Sequence, residues 1–73
     1  MKKSVKIEIP AALIDQLEAD INRVHIIAQR YQKQHKTEVA ALMVNDIVKA
    51  RQAINQGSLG DARYMLDELK AWG

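Results

Sequence analysis

Residues 2–21 read KKSVKIEIPAALIDQLEADI: a short alternating run, a proline, then a run with helical spacing. Val5, Ile7 and Ile9 alternate with Ser4, Lys6 and Glu8. Period two, with three β-branched residues on one face, predicts a half-buried strand over 4–9. Pro10 closes that run, and its missing N–H suits the opening of a helix, where the donor has no partner anyway. No other segment reads as a strand. A lone strand leaves two rows of backbone groups unpaired, and those groups need partners. The same strand from a second copy supplies them, as an antiparallel ribbon across a two-fold axis. The other solution is an N-terminal arm that adds to a partner protein or stays loose. The expected fold class is therefore mainly α: a short N-terminal strand and three helices, the strand paired across a homodimer.

Size points toward assembly too. Seventy-three residues allow one small domain, with a core that is marginal unless something supplements it. The chain has no cysteine, so disulfides and cysteine-based zinc sites are excluded, and two histidines close no structural zinc site alone. Neither a cofactor nor a metal is expected. The basic opening MKKSVKIEIP lacks the uninterrupted apolar stretch of a signal peptide, and no segment approaches a membrane span. The expectation is a cytoplasmic protein with no membrane partner. A net charge of +2 permits contact with nucleic acid without arguing for it.

Beyond the strand arm (1–9), the single domain divides into a long helix over 10–36, a second over 37–55 and a third over 58–72. Ile14, Leu17, Ile21, Val24, Ala28 and Tyr31 recur at alternating three- and four-residue steps, the spacing of one helix face. Leu13, Ile26 and Ile27 widen that face beyond one seam. Whether 10–36 is one helix or two stays open, since no glycine marks a break before Thr37. Thr37 has the chemistry of an N-cap, with Glu38 in the first turn behind it. Val39, Met43, Ile47, Ala50 and Ile54 form the stripe of the second helix. Leu42, Val44 and Val48 flank it, so this helix is expected to be the most buried. Gly57 fits the position just past a helix end, and Ser58 with Asp61 is spaced like a capping box. Leu59, Ala62, Met65, Leu66, Leu69 and Trp72 line the third helix.

Strand, proline, amphipathic helix, second helix: on VKIEIPAALIDQLEADI and KTEVAALMVNDIVKA the chain resembles the ribbon-helix-helix family of transcriptional repressors and antitoxins. The resemblance implies a small dimeric DNA-binding regulator whose ribbon lies in the major groove. It implies that Ser4, Lys6 and Glu8 face the bases and that the backbone at Thr37 and Glu38 holds a phosphate. Lys2 and Lys3 would extend the contact as a basic arm, or serve solubility alone. Antitoxins of this family add a C-terminal segment that binds a toxin, which would make Ser58–Trp72 a partner-binding segment. AINQGSLGDARYMLDELKAW also looks like the inter-helix region of a tetratricopeptide-type hairpin, although one copy makes no solenoid.

The remaining polar residues divide between a functional and a structural reading. Arg30, Lys33, His35 and Lys36 gather near the end of the long helix, with Arg23 one stripe earlier, either as a phosphate patch or as cations complementing a helix C-terminus. Tyr64 and Trp72 stand out among few aromatics, as partner anchors or, for Trp72, as core closure. His25 and His35, ten residues apart on one helix, share no metal. No nucleophile motif accompanies the carboxylates, and an enzyme is not expected. Two functions compete: a DNA-binding regulator of antitoxin type, and a helical interaction module acting as adaptor, inhibitor or assembly factor.

Overall fold

The computed structural model describes residues 9–72, arranged as α1 (Ala11–Lys33), α2 (Thr37–Gln56) and α3 (Leu59–Lys70). There is no strand among the described residues, which corrects the expected fold class. Ile9, the one described residue of the expected strand, is irregular and buried in the helical core, while residues 4–8 lie outside the description. The physical reason is visible at Pro10. Its carbonyl accepts from the amides of Leu13 and Ile14, so α1 starts at once and draws Ile9 against the chain's own helices. Ile9 thus belongs to this core rather than to a ribbon shared with a second copy.

Residues 10–36 form one helix and a turn. α1 runs for 23 residues. Leu17, Ile21, Val24 and Ala28 are buried along it, with Ile14 and Tyr31 half-buried at its two ends. α2 buries Ala40, Met43, Ile47, Ala50 and Ala53, and α3 buries Ala62, Met65, Leu66 and Leu69. Five of the fourteen core residues are alanines. They let the helices approach closely but remove little apolar area from water, so the core is thin for its length.

Both connections close with the same hydrogen-bond pattern. At the end of α1 the amide of His35 donates to Gln32 O and that of Lys36 to Tyr31 O. At the end of α2 Gly57 donates to Ile54 O and Ser58 to Ala53 O. This pairing needs a left-handed residue just past the helix, which His35 (φ 64°) and Gly57 (φ 67°) supply. The Lys36 ammonium lies over the Tyr31 ring, 5.7 Å from its centre, where an apolar contact usually completes the motif. Thr37 therefore begins α2 rather than capping it, and Lys36 holds the cap position. Ser58 sits at the head of α3 in extended geometry, but its side chain makes no capping bond.

Glycine tolerates the left-handed region and histidine is strained there by about 1 kcal/mol. His35→Gly is thus expected to raise the thermal midpoint by a few degrees and Gly57→Ala to lower it. Equal shifts in both variants would mean that the two turns do not share this geometry.

Candidate interaction surface

α2 contributes five buried residues, against four each from α1 and α3, yet it also exposes much apolar surface. Of the five exposed large apolar side chains among the described residues, Leu42 (57%), Val44 (39%) and Val48 (44%) stand on it, joined by Ile26 on α1 and Tyr64 on α3. Val44 and Val48 are one turn apart and occupy the side of α2 turned away from its buried stripe. Ala41, Asn45, Gln52 and Asn55, all exposed, extend that side along the helix, and the exposed Arg51, three residues past Val48, is a charge on it. The cause is local: α2 is apolar over more of its circumference than two neighbouring helices can cover.

The residues expected to meet a phosphate are divided by the fold. Arg30, Lys33 and Lys36 are exposed at the α1–α2 turn, beside His35 and the first turn of α2, where Thr37 and Glu38 are also exposed. Arg23 is elsewhere. Its guanidinium turns inward, donating from Nη1 to Trp72 O at 2.5 Å and from Nη2 to Leu69 O at 2.8 Å, with Asp20 Oδ1 3.5 Å from Nε. It therefore brings a charged donor to carbonyls at the C-terminal end of α3, where Leu69 O also accepts from the amide of Trp72. Lys2, Lys3, Ser4, Lys6 and Glu8 lie outside the described residues.

Tyr64 and Trp72 also part company. Tyr64 is exposed and lines a shallow groove of about 250 Å³ between α2 and α3, together with Lys49, Gln52, Gln56 and Asp61. Trp72 rests half-buried on the core, and its indole Nε1 donates to Asp46 Oδ2 at 2.9 Å. With Arg23 it clasps the end of α3 to the middle of both longer helices. That clasp is the feature sequence reading missed; Arg23 and Asp46 each directly precede a buried residue, Val24 and Ile47, which is the one signal available.

His25 is exposed with its Nε2 3.3 Å from Gln29 Nε2, one turn along α1, and His35 is exposed in the turn. Among the described residues no three His, Asp or Glu side chains converge as metal ligands. No described helix is long and apolar enough to cross a membrane. No family model, curated protein or solved structure matches the chain.

Proposed function

We propose that this protein is a non-enzymatic helical interaction module that presents the outer face of α2 to another protein. The observation that carries this reading is the Val44–Val48 pair, exposed one turn apart on α2, with Arg51 beyond it as a charge at the edge of the apolar patch. Aliphatic side chains exposed in register along one helix offer area that only association removes from water. A second helix laid along this pair would meet anchors at one-turn spacing. The expected result is a stoichiometric protein partner, insensitive to nuclease, captured by the wild-type chain and lost from Val44→Lys/Val48→Lys. Retention of that partner by the double variant would refute the reading. Val44 and Val48 are 39% and 44% exposed, and unchanged circular dichroism of the double variant shows that a lost partner is not a lost fold.

A specific observation supports a second reading, a regulator that binds duplex DNA. Arg30, Lys33, His35 and Lys36 surround the open N-terminus of α2, an arrangement suited to phosphate. On this reading duplex binding falls steeply with salt, and Lys33→Ala/Lys36→Ala lowers the salt slope by about 2. Absence of duplex binding at low salt removes it.

A further inference from the structure

α3 is twelve residues long, against 23 in α1 and 20 in α2. The clasp fixes where it stops, level with Arg23 on α1 and Asp46 on α2. Beyond that level the α1–α2 hairpin continues to its turn with one side uncovered by any described residue. Rows on a helix face run in steps of three and four, so the residues continuing the α3-facing side can be named. From Arg23 the row passes to Ile27 and Tyr31; from Asp46 it passes back to Leu42 and Val39. All four are apolar. Ile27, Tyr31 and Val39 are half-buried against the core, and Leu42 is the most exposed large aliphatic side chain among the described residues. They form a shelf in line with α3 that has the composition of a core and no helix on it.

We infer that a second copy of this chain covers the shelf, shelf against shelf across a two-fold axis, so that each hairpin tip extends the line of the partner's α3. The charges at the two ends of the shelf argue for this occupant. One end is the hairpin turn, with Arg30, Lys33 and Lys36 exposed around it. The other is the end of α3, where Arg23 already meets the terminal carbonyls but the carboxylates of Asp67 and Glu68 are exposed. Lys70 is the one cation of that last turn, and two residues along a helix it points away from Glu68. An antiparallel pairing lays each basic turn over the partner's acidic end, and does so twice by symmetry. A parallel pairing would set basic turn on basic turn. The proposal uses Leu42 rather than the Val44–Val48 strip, so it stands or falls independently of the module reading; a dimer would carry two such strips.

Sedimentation equilibrium tests it. The wild type is expected to move with concentration from 8.3 kDa toward twice that mass. Leu42→Glu is expected to stay monomeric with unchanged circular dichroism and urea midpoint. Arg30→Glu/Lys33→Glu should weaken self-association about tenfold or more, and mixing it with Asp67→Lys/Glu68→Lys should restore a heterodimer. The charge pair decides the matter even if Leu42→Glu fails to fold. A wild type that stays monomeric at millimolar concentration, a dimeric Leu42→Glu, or a charge pair that fails to recombine would overturn the proposal.

Discussion

Replacing Leu17 with alanine is expected to lower stability by about 2–5 kcal/mol, the range for truncating a fully buried leucine. Leu17 has no exposed surface and is among the largest side chains so enclosed. Its loss removes transfer energy and leaves a void lined by residues with little freedom to collapse, since alanines already fill much of the interior. A chain of this length holds about 4–11 kcal/mol in total on the usual per-residue scale. The substitution therefore consumes a large share of the margin. Urea unfolding followed by circular dichroism should show a much lower midpoint at an unchanged slope. Ile26→Ala is the matched control, because Ile26 is half exposed on the outer side of the same helix. It should change stability by no more than about 0.5 kcal/mol. Comparable losses in the two variants would mean that α1 presents a different face to its neighbours.

That contrast also marks how far the sequence could be read. The spacing of Leu17, Ile21, Val24 and Ala28 identified the buried face of α1, because a helix must turn one side inward and only one side is apolar enough. Ala62, Met65, Leu66 and Leu69 did the same for α3, and Gly57 marked the end of α2. The reading failed where a residue's fate depends on a distant neighbour. Alternation at Val5, Ile7 and Ile9 has the period of a strand, yet Ile9 finds its burial among helices. On α2 the half-buried Val39 and Ile54 were favoured for the core over Ala40 and Ala53, which are buried instead. An alanine removes little apolar area from water, so a stripe is read from larger side chains, but close helix contact selects the small ones. Leu42 is exposed because α3 is too short to reach it, a fact about another segment. The clasp joins residues 26 to 49 positions apart, partly through backbone carbonyls, and no local pattern encodes such contacts.

Arg23→Met is expected to cost about 1–3 kcal/mol, through charge-assisted hydrogen bonds rather than packing. Methionine keeps much of the side chain's apolar length, so the loss isolates the guanidinium. Without it the carbonyls of Leu69 and Trp72 lose their charged donor and the Asp20 carboxylate its counter-charge. Asp20 is the sharper problem. Its side chain is only 18% exposed, and its Oδ2 is already buried without a partner among the described residues. Removing the cation leaves a carboxylate close to helix-end carbonyls, where it is repelled. Arg23 is itself 39% exposed, so water replaces part of what is lost and the lower half of the range is expected. Asp20→Asn should cost stability in the wild-type background but recover part of it in Arg23→Met, since a neutral amide can donate where the guanidinium did. This sign reversal separates an electrostatic clasp from a merely well-packed arginine, for which the two losses would add. Hydrogen exchange locates the effect: in Arg23→Met the amides of the last turn of α3 should open more readily than those of α1 and α2. Uniform loss of protection across all three helices would show that α3 is held by its apolar face alone.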